Sequence, residues 1–410
     1  MERITVEAAV KLVLDAVTPV AETRRVPLLE ALDAVAAEDV AAKGDTPPFD
    51  RSAFDGFAFR SADTAAARAD KPARFRIAAT VYAGTFFVRP LLCGESVRIM
   101  TGAAMPEDAD CMIPKEEVRE DGDSVLLFRP AAPHQNYISR GEDIRRGQRL
   151  VAAGERLDFA RLAVLSSAGF GSVSVLRPPR IGVLCTGDEL SPPDAPLRMG
   201  KIYDSNETLL ACRLAELGFR ARVLPALKDD AAAVADALEA ALSGEDALDL
   251  VLTSGAVSVG DRDIMHEALE RLGAERLFWR LACKPGGALL AGLWRGKPLL
   301  CLSGNPFACF ANFELVAKPA LAKLASRPDL FPRRRRGVLA GAFAKSGGQR
   351  RFVRARLAEC AEGGRLPLVT LPDAHASGQL FSALDCNCLV DIPAGSEALV
   401  AGSEVEAVLL

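Results

Sequence analysis

From Arg180 to about Ala325 the chain alternates short apolar runs with helical stretches, and the runs end in polar loops. Arg180–Cys185 ends at Thr186-Gly187, Leu248–Leu252 at Thr253-Ser254-Gly255, and Pro298–Leu302 at Ser303-Gly304-Asn305-Pro306. Ala221–Leu224 is a further run, and Asn206–Leu217, Ala231–Leu242 and Ile264–Leu272 have helical patterning. Apolar strands alternating with helices predict a parallel α/β sheet. Such sheets bind ligands beyond the carboxyl ends of their strands.

At 410 residues, about two to four domains are expected. Residues 5–17 set Val6, Val10, Val13, Leu14 and Val17 on one helical face. A second helix is expected after Pro27, through Leu28, Leu29, Leu32 and Val35, and a third within 147–177. Between them, Phe75–Ala79, Ser96–Met100 and Val125–Phe128 are short apolar runs broken by Gly, Pro and Asp, a β-rich pattern. The expected division is a helical linker domain (1–45 and 146–177), an inserted β-rich domain (46–145), an α/β domain (178–326) and a small C-terminal β domain (327–410). Pro328, Pro332 and Arg333–Arg336 read as a solvated connector. The three helices are expected to pack side by side.

Composition excludes several classes. A net charge of −4 does not suit a nucleic-acid binder. No stretch of about 20 apolar residues could span a membrane, and the charged, amphipathic start lacks the apolar core of a signal peptide. The ten cysteines form no C-x-x-C pair and read as reduced thiols, so a cytoplasmic location is expected. His134, His266 and His375 lie in no metal or triad spacing. Nucleophile-elbow, Walker and Rossmann signatures are absent.

The α/β strand ends gather acid and glycine: Thr186-Gly187-Asp188-Glu189, Asp229-Asp230, and Ser254 through Asp263. Serines, glycines and open N–H groups suit a phosphate. Several carboxylates around one crevice repel an anion unless a hard cation lies between, as Mg²⁺ does. Asp204-Ser205-Asn206 reads as a helix cap.

Pro47-Pro48-Phe49-Asp50-Arg51-Ser52-Ala53-Phe54-Asp55-Gly56-Phe57-Ala58 resembles the signature of the molybdopterin molybdenumtransferase family, MoeA in bacteria and the gephyrin E domain in eukaryotes. Further similar motifs come in family order: Arg98–Ala103, Arg140–Ile144, Thr186–Leu190, Gly200–Asn206, Val257–Asp261, Lys284-Pro285-Gly286, Gly304-Asn305-Pro306 and Ser377-Gly378. The resemblance spans essentially the whole chain. It implies a four-domain homodimer in which the inserted domain faces the partner's α/β domain. It implies that molybdate enters adenylylated molybdopterin with release of AMP.

By this resemblance Asp55, Thr101, Asp143, Glu189 and Lys284 are catalytic. Asp188, Glu189, Asp230 and Asp261 hold Mg²⁺. Thr186, Gly187, Asp229, Ser254, Gly255, Ser258, Gly260, Pro285, Gly304, Asn305 and Pro306 contact the pterin nucleotide, and Arg350, Arg351 and Ser377 contact the oxyanion. A molybdopterin adenylyltransferase and apo-molybdoenzymes are the implied partners. Four positions depart from the family: Gly287 and Ala288 replace lysine and proline, Ala256 replaces glycine, and Ser303 replaces proline. These departures define alternatives, a weak paralogue that carries the finished cofactor or one that uses tungstate; an assembly scaffold is a third. Restoring lysine at 287 is expected to strengthen oxyanion binding.

Overall fold

A computed structural model describes residues 3–257, 264–359, 366–373 and 376–410. The chain divides into two compact units, Met1–Arg24 with Leu176–Leu410, and Arg25–Val175. Helix α1 (Val6–Ala16) opens the first unit. The Thr5 hydroxyl caps it by accepting from the Ala8 N–H. Val6, Ala9 and Val13 are buried in one cluster with Leu321 and Phe352.

The second unit is built on a six-stranded sheet. Its strands are β1 (Gly56–Phe59), β2 (Ala73–Val81), β3 (Glu95–Ile99), β4 (Cys111–Pro114), β5 (Val118–Asp121) and β6 (Ser124–Leu127), in the order β4-β1-β3-β2-β6-β5. Only β2 and β3 pair in parallel. Residues 147–177 are helical only in α2 (Phe159–Ser167), capped by Asp158. The helix expected after Pro27 is a single tight turn, Leu28–Glu30. Asp33 then takes φ +65°, and Ala36 bridges to Val175, so the chain is extended there. The apolar spacing misled because Leu29 and Leu32 are exposed at 97% and 57% and form no buried helical face. Nor do α1 and α2 share a core: Leu165 of α2 is buried with Val26, Leu157 and Val173 in a separate cluster.

After residue 176 the first unit resumes with β7 (Ile181–Cys185), α3 (Ser205–Glu216), β8 (Ala221–Val223), α4 (Ala231–Leu242), β9 (Leu250–Ser254) and α5 (Met265–Leu272). Next come β10 (Glu275–Trp279), β11 (Cys283–Lys284), β12 (Leu290–Trp294), β13 (Lys297–Leu302), α6 (Pro306–Asn312) and α7 (Lys318–Leu324). The sheet order is β8-β7-β9-β13-β12-β10. The first four strands are parallel as expected, and β12 and β10 add antiparallel strands. Strands β12 and β13 join through Arg295-Gly296, both at positive φ, the backbone that a two-residue hairpin requires. One π turn, Phe313–Ala317, joins α6 to α7; its buried Glu314 pairs with Arg213 and Lys318.

The C-terminal segment forms a closed barrel of β14 (Arg334–Leu339), β15 (Arg350–Ala358), β16 (Leu368–Thr370), β17 (Cys388–Ile392) and β18 (Glu404–Leu409), closed by β15 against β17. Arg334–Arg336 therefore belong to a strand and not to a connector. Acidic neighbours hold them there: Arg334 pairs with Asp391 and Glu406, Arg335 with Glu359, and Arg336 with Glu404. Strand β11 extends the barrel sheet, with Cys283 opposite Arg350 and Lys284 opposite Arg351.

Candidate functional site

The carboxyl ends of β7, β9 and β13 meet in a knot of polar contacts. The Thr186 N–H donates to the Ser254 carbonyl at 2.9 Å. Asn206 Nδ2 donates to Ser254 Oγ and to the Gly304 carbonyl, both at 2.8 Å. Ser254 Oγ donates onward to the Ser303 carbonyl at 3.2 Å. Asp204 caps α3, accepting from the N–H groups of Asn206 and Glu207 at 3.0 Å. Gly255 is required by this crossing: a Cβ there would sit 2.1 Å from the Thr186 carbonyl oxygen. Burial, and then the Asp204 carboxylate beside it, push the Cys185 thiol far up, so it stays protonated.

These loops enclose a cavity of about 380 Å³, lined by Thr186, Glu189, Asp204, Asn206, Ser254, Gly255, Gly304, Asn305 and Pro306. Among the described residues no Lys or Arg lines it. The Glu189 carboxylate lies against Gly187, where a Cβ would fall 2.6 Å from Oε2.

A second cleft of about 810 Å³ shares Ala288, Ser303 and Asn305 with the first. Its lining holds Arg3, Arg280, Lys284, Lys345, Arg351 and Arg354 and, among the described residues, no carboxylate. Pro285, Phe307 and Ser377 also line it. Buried Asn312 ties two of its loops, donating to the Gly286 carbonyl at 2.7 Å and accepting from the Ser303 N–H at 3.1 Å. Ser303 Oγ donates to the Ala288 carbonyl at 2.6 Å, so two of the departures from the family pattern are bonded to each other. The Phe307 N–H donates to the Ser377 carbonyl at 3.0 Å, setting the Ser377 turn on the first turn of α6.

The structure therefore gathers Thr186, Glu189, Ser254, Gly255, Gly304, Asn305 and Pro306 around one cavity, and Lys284, Pro285, Asn305, Arg351 and Ser377 around the other. Several expected residues stand elsewhere. Arg350 does not line the cleft; its guanidinium is taken by Asp391 at 2.6–2.7 Å and by Glu7 at 2.7–2.8 Å. Asp230 caps α4, accepting from the N–H groups of Ala232 and Ala233 at 2.9 and 3.2 Å. Asp188 and Asp229 line neither cavity, and the Asp188 carbonyl accepts from Lys201. Ser258, Gly260 and Asp261 lie outside the described residues. Among the described residues no group of three or more His, Cys, Asp or Glu side chains forms a metal cluster.

In the other unit, Asp55 accepts from the N–H and hydroxyl of Thr101 at 2.9 and 2.8 Å. Those hydrogen bonds, the backbone one first, hold the Asp55 carboxyl below its usual range. Asp143 is exposed, and its N–H donates to the Thr46 carbonyl at 3.1 Å.

Sequence reading missed Arg354, which is 1% exposed. Its signal was an arginine set inside an apolar strand run, between Val353 and Ala355, where an unexplained charge is costly. Arg3, Arg280 and Lys345 carried no comparable signal.

Family models match the chain in sequence order. The "MoeA N-terminal region (domain I and II)" covers residues 4–169, the "Probable molybdopterin binding domain" 182–323, and the "MoeA C-terminal region (domain IV)" 336–410. A molybdopterin molybdenumtransferase of Staphylococcus aureus is 33% identical over 94% of this chain and 90% of its own length. The Bacillus subtilis enzyme of that name is 34% identical over 95% of this chain and 90% of its own. A crystal structure of the molybdopterin biosynthesis MoeA protein from Pyrococcus horikoshii superposes with a TM-score of 0.85 at 31% identity, covering 100% of this chain and 99% of that one. An α/β unit with paired cavities and a C-terminal barrel, matched along its length in this way, defines a chain of the MoeA class. The protein belongs to the molybdopterin molybdenumtransferase family.

Proposed function

We propose that this chain inserts molybdate into adenylylated molybdopterin, releasing AMP, in molybdenum cofactor biosynthesis. The observation that carries this is the opposite character of two cavities sharing one wall. The cationic cleft suits a compact dianion. The loop-lined cavity, with Thr186, Ser205, Asn305, Gly255 and Gly304 in its lining, suits the pterin nucleotide.

Lys284, Arg351, Arg354 and Ser377 hold the oxyanion, and Asn305, on both linings, faces both reactants. A tetrahedral oxyanion held beside the dithiolene gains the orientation that a bimolecular step lacks in water. Glu189 fits a divalent-cation ligand, because its carboxylate lines this cavity together with Asp204 and hard oxygen donors suit such an ion. Such an ion would neutralise charge on the departing phosphate. Asp230, engaged as a cap, is spared that role.

The direct test mixes purified protein, adenylylated molybdopterin, Mg²⁺ and molybdate, and measures AMP release and metal incorporation. Glu189→Gln should abolish Mg²⁺-dependent AMP release while the fold stays intact. Normal turnover of that variant would remove Glu189 from the reaction. Kinship also supports a homodimer with composite sites. Mixing Asp55→Ala with Glu189→Ala chains should then restore one working site in two, and no recovery after confirmed chain exchange would exclude it.

A further inference from the structure

The cleft holds more positive charge than its own contacts explain. Among the described residues no carboxylate pairs with Arg3, Arg280, Lys284, Lys345 or Arg351, and none lines the cleft beside them. Cations facing one cleft repel one another unless an anion lies between them.

Arg3 is the unexpected member. It lies far in sequence from the rest, and its neighbours hold it at the cleft. The Ile4 N–H donates to the Arg280 carbonyl at 3.2 Å, and the Ala282 N–H donates to the Ile4 carbonyl at 2.7 Å. Ile4 thus bridges in parallel to Leu281, three residues before Lys284. A second tie lies in the first turn of α1, where Glu7 accepts both bonds from Arg350 Nη1. Arg350 stands opposite Cys283, and its neighbour Arg351 stands opposite Lys284. The segment around Arg3 is therefore fastened to the Arg280–Ala282 stretch that leads into β11 and, through Arg350, to β15.

Gly287, which also lines the cleft, supplies no charge and has little room for any. A Cβ there would lie 3.0 Å from the Cys283 carbonyl oxygen. Nor is the space filled: a tetrahedral oxyanion of five heavy atoms takes up only a small part of about 810 Å³, so cations from several elements can close on it.

We propose that Arg3 is a further oxyanion-binding residue of this cleft, delivered by the paired N-terminal segment. This rests on the cleft being the oxyanion site. The exposed guanidinium supplies a planar, permanently charged donor pair to a tetrahedral dianion.

The test titrates the full-length protein with molybdate by calorimetry. Arg3→Gln should raise the molybdate Kd about tenfold, and Arg3→Lys about threefold, with the melting temperature unchanged. Arg24→Gln, an exposed arginine outside the cleft, should leave Kd unchanged. Arg354→Ala reports on the cleft itself. Weakened binding in Arg354→Ala with native Kd in Arg3→Gln would overturn the role of Arg3 and leave the cleft as the oxyanion site. Native Kd in both variants, or no binding by the native protein, would overturn both.

Discussion

The guanidinium carbon of Arg354 lies 3.9 Å from the ring centroid of Phe307, and its Nη2 donates to the Ala376 carbonyl at 2.8 Å. One side chain thereby joins the start of α6, the barrel strand β15 and the Ser377 turn. Stacking of this kind needs a planar cation, which lysine lacks.

Arg354 and Arg350 should separate in their effects. Arg354→Ala should raise the molybdate needed for half-maximal rate about tenfold or more, a loss of about 1.4 kcal/mol. Arg354→Lys should recover little of it. Arg350→Ala should instead lower stability by about 2 kcal/mol, because Asp391 is 7% exposed and keeps only Arg334. Thermal melts and molybdate titrations of the two variants check this, and a reversed pattern would return the oxyanion to Arg350.

Gly287→Lys should not improve the enzyme. The added Cβ must push on the Cys283 carbonyl, and the Gly287 carbonyl already accepts from the Leu281 N–H at 2.9 Å. The expected result is a lower melting temperature and a molybdate Kd no tighter than native. Tighter binding at unchanged stability would show that the loop yields freely.

Asn312→Ala should cost about 2–4 kcal/mol, since the Gly286 carbonyl and the Ser303 N–H both lose their partner in a dry setting. Denaturant unfolding measures the loss. Weaker molybdate binding should accompany it, because those two loops wall the cleft.

Stability should fall in acid through the Glu7–Arg350–Asp391 group. Burial opposes the charged form of Asp391, yet hydrogen bonds from Arg350 and Arg334 hold its carboxyl below the usual value; partial burial and Arg350 act likewise on Glu7. A carboxylate lowered by folding stabilises the protein above its unfolded value, about pH 4, and that gain is lost as pH falls through the lower folded value. The melting-temperature gap between native protein and Asp391→Asn should be full at pH 7 and close towards pH 3. A constant gap would mean that Asp391 acts through packing alone.

Much of the α/β unit was legible because each element there has a local signal. Ala231–Leu242 is helical between the limits read from its alanine-rich pattern, and Ile181–Cys185 and Leu250–Ser254 end at their glycine loops. What failed depended on partners distant in sequence. Arg334–Arg336 form a strand because Asp391, Glu404 and Glu406 wait on neighbouring strands. Leu29 and Leu32 fit a helical face in sequence, but no core lies opposite them. The site divided in the same way. Loop residues such as Ser254 and Asn305 could be read from motif and position, whereas Arg350 and Arg351 are neighbours whose surroundings differ only in three dimensions. Capping explained Asp230 without a metal.

The burial of α1 against α7 also bears on how the protein is made. The face carrying Val6, Ala9 and Val13 is made some three hundred residues before Ala320 and Leu321, members of the same cluster. At the usual pace of synthesis that delay is on the order of tens of seconds. For most of it that apolar helix face lacks its native partners, while Arg25–Val175 has been made in full and can collapse on its own core. Nascent chains should therefore display α1 to chaperones until α7 has been made, and a stall before α7 should leave Arg25–Val175 folded while α1 stays sticky.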